Sequence, residues 1–158
     1  MQNRYFQIIG ILIIFLSGCD IGEGVPSAFN GGDIYVGSHH LTFEVSQATW
    51  SPDNDELVID FQRVSNWPNA TMTITDISEV EVGESVSCSA EIEVDQDTSY
   101  TAGPLVSGAD VTIKFTRLDL RIAGGVSGTI YGHARSVENP GDSPVSLTGS
   151  FEDIIVVE

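Results

Sequence analysis

Positive charge is scarce in this sequence. Six lysines and arginines stand against 23 aspartates and glutamates in 158 residues, a formal net charge of -17. A field of that sign repels phosphate backbones and anionic headgroups, which argues against nucleic acid as a partner. Acidic charge is also a plain solubility device and need not mark a site. Long hydrophobic runs are missing: crossing a bilayer core takes about 20 apolar residues. The apolar run Ile8 to Leu16 (IIGILIIFL) falls well short of that. A sustained 3.6-residue period is absent beyond this first segment, so no helices are expected there. There is no Ser-His-Asp arrangement, nucleophile elbow, HExxH pair or phosphate-cradling glycine loop. No cofactor is implied. What is present is an ordinary globular composition, 41% hydrophobic and 8% aromatic.

The amino end has its own logic. Met1 to Gln7 carries the terminal amine and Arg4 with no acid, and the Ile8 to Leu16 run follows. These are the n-region and h-region of a secretory signal. The run ends in Leu16-Ser17-Gly18-Cys19. This resembles the lipobox of bacterial lipoproteins at all four positions, against the alternatives of plain secretory cleavage or an uncleaved anchor. The resemblance implies transfer of a diacylglyceryl group to the Cys19 thiol, cleavage between Gly18 and Cys19, and acylation of the new amine. Small residues at 17 and 18 suit a narrow protease cleft, and only cysteine supplies the thioether. A single acyl chain holds a protein marginally, at about 0.8 kcal/mol per buried methylene, whereas two or three chains on one residue make release negligible. In enterobacterial lipoproteins an aspartate after the lipidated cysteine, as Asp20 here, resembles the signal for retention at the inner membrane. Other bacteria sort differently, so the choice between inner and outer membrane stays open.

The expected organisation is therefore a signal peptide over 1–18, a lipidated Cys19 and flexible tether over 19–33, and one β domain over 34–158. The Gly-rich stretch Asp20 to Asp33 (DIGEGVPSAFNGGD) would hold the domain roughly 20 Å from its anchor as a flexible coil. About 140 mature residues fit one domain, large enough to fold without a metal or disulfide staple.

Beyond residue 33, apolar residues recur every second position. Leu41, Phe43 and Val45 alternate with polar neighbours, and Leu57, Ile59 and Phe61 do the same, with the turn Ser51 to Asp55 between them. Ser85 to Asp95 is the clearest strand: Val86, Cys88, Ala90, Ile92 and Val94 share one face, and a one-residue slip would bury three acids. Thr71 to Ile77 is a Thr-rich strand after the turn Asn66 to Asn69, and Gly83 separates it and Val80 to Val82 from the strong strand. Val111, Ile113 and Phe115 point one way while Leu118, Leu120 and Ile122 continue on the other parity. A β-bulge near Thr116-Arg117 reconciles them. Gly124-Gly125 reads as a tight turn into Val126 to Ala134, and Val145 to Phe151 and Ile154 to Val157 close the chain. The prediction is an all-β domain of about eight or nine strands, an antiparallel β-sandwich or closed barrel, with the sandwich slightly favoured.

From about Leu57 onward the chain is similar to a set of small uncharacterised β-rich lipoproteins best known from Bacteroidota. The matching segments are Gly83-Glu84-Ser85, Gly108 to Leu120, Val126-Ser127-Gly128-Thr129 and Leu147-Thr148-Gly149-Ser150-Phe151. These are turn glycines and alternating strands. The family has no assigned activity, so it implies an architecture and no functional residue.

Residues that could carry chemistry also have plainer roles. With Cys19 alkylated, Cys88 has no disulfide partner, and its parity makes it a small core hydrophobe rather than a nucleophile. His39-His40 and His133 invite a metal or general-base role, yet neighbouring strand residues point to opposite faces. Asp53, Asp55, Asp95 and Asp97 lie in acidic turns of the kind that hold Ca²⁺, but the EF-hand spacing fails at Leu57 and solvated turns are the simpler reading. Lys114, Arg117, Arg121 and Arg135 would give the domain a positive end, or pair with local acids such as Asp119. Trp50 and Trp67 stand beside turns, where aromatics stack on sugars or anchor a core. The Asn69-Ala70-Thr71 sequon carries no weight in a bacterial chain. The expected function is a non-enzymatic, lipid-anchored binding or structural module of the cell envelope, with a protein or glycan partner. A calcium-dependent module using the acidic loops is the alternative, and an envelope enzyme built on His133 or His39 is the third reading.

Overall fold

The computed structural model describes residues 31–63 and 66–157. The expected signal peptide, with Gly18 and Cys19, lies outside the described residues, as does most of the expected tether. The tether's last three residues, Gly31, Gly32 and Asp33, are in a strand. The described chain is all-β: β1 (Gly31–Val36), β2 (His39–Phe43), β3 (Val45–Ser51), β4 (Glu56–Gln62), β5 (Asn69–Thr75), β6 (Ser85–Asp95), β7 (Thr98–Ala102), β8 (Val111–Leu118), β9 (Gly125–Ser136) and β10 (Val145–Val157). One short 3-10 turn, Ile77–Glu79, lies between β5 and β6.

These strands form one sheet that closes on itself as a seven-strand mixed barrel with three outer strands. From β3 to β6 each strand pairs antiparallel with the next. The far edge of β6 is covered by β8 along residues 85–88 and by β7 along 90–95. Both then pair with β9, on either side of the loop 103–110. β9 pairs with β10, and the end of β10 lies parallel to β3, Ile155 opposite Gln47 and Val157 opposite Thr49. That parallel contact closes the barrel, so the slight preference for a sandwich gives way to the other expected architecture. β1 and β2 extend the sheet outward from the first half of β10.

Two neighbouring bulges bend the sheet where it closes. One lies between Phe115 and Arg117, at the position the parity change predicts. The second interrupts β10 between Phe151 and Ile154, with Asp153 at φ 49°. Between them on β9, Ser127 Oγ accepts the Asp153 N–H at 2.9 Å, and the Arg117 guanidinium pairs with the Asp153 carboxylate. A bulge adds a residue and increases local twist, which lets the long β10 serve β1 first and β3 afterwards.

Alternation of large and small side chains fills the interior. Reading across β2, β1, β10, β9 and β8, the registered row is Phe43, Gly32, Phe151, Gly128, Phe115. Each ring thus stands over glycines on adjacent strands. Phe61 caps the row, with ring centroids 5.6 Å from Phe43 and 5.8 Å from Phe151. All four rings are buried. Cys88 is buried in the same core, and burial pushes its thiol up to about 12.

Several sequence expectations are corrected. β2 ends at Phe43, and Val45 begins β3 on the opposite parity, 52% exposed. Val80 to Val82 is not a strand but follows the 3-10 turn. The turn before β9 is not a tight pair of glycines: residues 119–124 form it, with Ala123 at φ 61°. Ile122 in that turn is 66% exposed rather than inward. The final two segments are one bulged strand. β1 and β7 were not foreseen; each is short, and β7 (TSYTA) carries few apolar residues to mark a period.

Candidate functional site

Among the described residues the barrel interior is packed by side chains. Glycine placement explains how tightly: a Cβ on Gly32 would stand 2.8 Å from the Phe61 ring, and one on Gly128 would stand 2.9 Å from Phe151. No helix among the described residues is long and apolar enough to cross a membrane.

The most organised polar and aromatic surface is the outer face of β2, β1, β10, β9 and β8. Alternation puts it there: when Ile34, Val36, Leu41 and Leu147 turn inward, Asp33, Tyr35, His40, Thr42 and Thr148 turn outward. Tyr35 and His40 are cross-strand partners whose rings stack at 4.2 Å with 3° between their planes. His40 Nε2 lies 3.0 Å from Asp33 Oδ1, and Thr42 Oγ1 donates to the same oxygen at 3.0 Å. A carboxylate only accepts, so the hydrogen between His40 and Asp33 belongs to the imidazole. The carboxylate sits between imidazole and hydroxyl, which fixes the ring.

Tyr131 is the second aromatic of this face, 42% exposed. It lies opposite Thr148 on one side and Thr112 on the other. Its hydroxyl donates to Ser85 Oγ at 2.6 Å, and Ser85 belongs to β6, on the far side of β8. His133, two residues on, has Nδ1 3.9 Å from Asp110 Oδ1, an exposed pair beyond hydrogen-bond reach.

A second feature is the barrel mouth around Tyr100. Depressions of about 340 Å³ and about 240 Å³ flank this ring, the first lined by Glu91, Glu93 and Val137, the second by Asp97, Glu138 and Asp142. His39 turns inward, as strand alternation requires, with its ring 6.1 Å from Tyr100. Glu138 ties the mouth together: Oε1 accepts from Ser99 Oγ at 2.6 Å and Ser99 N at 3.0 Å, and Oε2 from Ser136 Oγ at 3.1 Å. The Ser99 hydroxyl, followed by backbone N–H groups, holds the Glu138 carboxyl down at about 2.

The other sequence candidates are placed apart. Asp53 and Asp55 precede β4 beside the end of β5, whereas Asp95 ends β6 and Asp97 follows it, beside the start of β5, so the acidic turns sit at opposite ends of the barrel. Asp55 spends its oxygens on Ser78 N and Oγ, and Asp95 accepts the Asp97 N–H. Among the described residues no three of His, Cys, Asp and Glu converge on a place for a metal ion. The basic residues do not gather into one positive end. Arg121 pairs with Asp119, whose carboxyl is held at about 2 first by that side-chain hydrogen bond. Arg135 instead clamps two loops, donating to the carbonyls of Ser107, Pro140 and Asp142. Trp50 is half-buried against the core near the end of β3, and Trp67 is 39% exposed near the start of β5, so they share no surface.

Sequence reasoning missed Tyr35 and Tyr131. The signal was there, since both interrupt the outer, polar parity of alternating strands with a large aromatic ring. Set against protein-family models, curated proteins and solved structures, the chain matches none.

Proposed function

We propose that this chain is an exported, lipid-anchored, non-enzymatic binding module of the bacterial cell envelope. The anchor reading rests on the basic start, the Ile8 to Leu16 run and the Leu16-Ser17-Gly18-Cys19 pattern. The binding reading rests on one structural observation: an outward face where Tyr35, His40 and Tyr131 are held rigid by hydrogen bonds and stacking around small hydroxyl residues. Ordering exposed rings before a ligand arrives lowers the entropic cost of binding.

Anchoring is tested by fractionating cells that carry the parent or Cys19→Ser, with mass spectrometry of the mature N-terminus. The parent is expected in the membrane fraction with an acylated Cys19 as its first residue, and the variant is expected unprocessed at Gly18-Cys19. A parent chain that keeps its leader, or one whose mature N-terminus carries no acyl group, refutes the anchor.

A further inference from the structure

We infer that the outer face between Tyr131 and the Tyr35–His40 pair binds a neutral sugar chain. This deepens the binding-module reading and rests on it.

The orientation of Tyr131 follows from its partners. Its Cα stands on β9, and its hydroxyl reaches Ser85 on β6 with β8 between. Strands lie about 4.8 Å apart, so the side chain covers that distance only by lying down across β8. The ring then offers a face to solvent, with its far end pinned. On the other side of β10, Tyr35 is braced by the parallel His40 ring, which Asp33 holds. Tyr35, Thr148 and Tyr131 are in register, which sets the two tyrosine backbones on the order of 10 Å apart, and the Tyr131 ring extends the platform further, over β8. The floor between them is Ser146, Thr148 and Ser150, with no outward side chain large enough to fill the gap.

Sugar rings fit this pattern chemically. A pyranose has an apolar C–H face and a rim of hydroxyls. The C–H face suits the electron-rich face of a tyrosine ring. The rim needs groups that both donate and accept, which serine, threonine and tyrosine hydroxyls provide, and the Asp33 carboxylate adds an acceptor. Charge selects among sugars: in a chain of net charge -17, Asp33, Asp110, Glu152 and Asp153 stand against Lys114, Arg117 and Arg135 on this face. Arg117 is paired to Asp153 and Arg135 is bound to backbone carbonyls. Uronic or phosphorylated glycans are repelled. A protein partner would need an apolar centre to bury, and the outward residues of β10 between the tyrosines are hydroxyl-bearing instead.

The test is affinity electrophoresis of the full-length chain in detergent, through native gels containing dextran, xylan or glucomannan, with polygalacturonate as the anionic comparison. At least one neutral polysaccharide is expected to retard the parent, and polygalacturonate is not. Tyr131→Ala and Tyr35→Ala are each expected to weaken retention about tenfold, the loss of one stacking ring. Tyr131→Phe keeps the ring and is expected to lose less. Tyr35 is 48% exposed, so its alanine variant separates lost binding from lost folding. The proposal is overturned if no neutral polysaccharide retards the parent, if both alanine variants bind like the parent, or if the anionic gel retains it best. Anchoring is read in a separate experiment, so either reading can fail while the other stands.

Discussion

Replacing Gly32 by alanine tests whether alternation of phenylalanine and glycine across the sheet sets the stability of this barrel. An added Cβ would sit 2.8 Å from Phe61 Cε1, 3.1 Å from Cδ1 and 3.1 Å from the Ser150 carbonyl oxygen. Carbon atoms in contact prefer about 3.5–4.0 Å, so the ring must give way by several tenths of an ångström. Phe61 is fully buried between Phe43 and Phe151 and has nowhere to swing. Overpacking of this kind costs about 1–3 kcal/mol. Against it stands a gain of about 0.4–1 kcal/mol from the stiffer unfolded chain. The net expectation is a loss of about 1–2 kcal/mol, or a melting temperature lower by roughly 3–8 °C in a domain of this size. Gly141→Ala is the control: a Cβ there meets nothing within 4 Å, so it is expected to be neutral or slightly stabilising. Phe61→Leu supplies the second arm, since a smaller side chain relieves the clash. The double variant is expected to be about 1 kcal/mol more stable than the two single losses predict. Thermal melts followed by circular dichroism read the parent and the four variants. A Gly32→Ala protein that melts with the parent, or strict additivity in the double variant, refutes the packing argument.

Other expectations follow from the buried thiol, the mouth and the acidic turns. Cys88, buried with its thiol pushed up to about 12, is expected to resist thiol reagents in the native chain and to react on denaturation; labelling at equal rates in both states contradicts this. Glu138 is depressed in the folded state to about 2, against about 4.3 unfolded. A depressed carboxylate stabilises above its unfolded value and loses that contribution as pH falls through the folded one. The melting difference between parent and Glu138→Gln is therefore expected to shrink from pH 5 towards pH 2, and a constant difference would count against the Ser99 contacts. Because the turns holding Asp53 with Asp55 and Asp95 with Asp97 lie at opposite ends of the barrel, neither millimolar Ca²⁺ nor a chelator is expected to move the melting temperature. A calcium-dependent rise would restore the calcium-module reading.

Period-2 alternation carried most of the fold into view because a strand with one buried face must repeat every second residue. Ser85 to Asp95 is the clearest case: a slip of one residue would bury three acids, and the observed strand has those limits. The bulge at Phe115/Arg117 was legible for the same reason, since a parity change inside one apolar strand needs an inserted residue. Closure was not legible. It depends on three residues at the end of β10 lying parallel to β3, a contact between segments more than a hundred residues apart with no local mark. Glycines opposite Phe151 were also unreadable, because in one dimension Gly32 and Gly128 resemble loop residues, and only registry across strands shows that they make room for rings.

The site was half-written in the same code. Outward parity was predictable for β2 and β9, yet alternation says only that a residue leaves the core. It does not say which outward residues meet. His39 and His40 illustrate the difference: adjacent in sequence, they part to opposite faces, one towards Tyr100 and the other onto Tyr35. The separation that removes a shared metal site is what frees His40 to brace a tyrosine. Likewise Arg135, counted by sequence as one of four cations at a positive end, is consumed by three backbone carbonyls. What remains on the outer sheet is a surface rich in hydroxyls and fixed rings, its two arginines engaged by Asp153 and by backbone carbonyls. An acidic barrel built this way repels anionic partners by its net charge and offers stacking rings on its outer sheet. Neutral polyhydroxylated ligands are the class for which both properties work in the same direction.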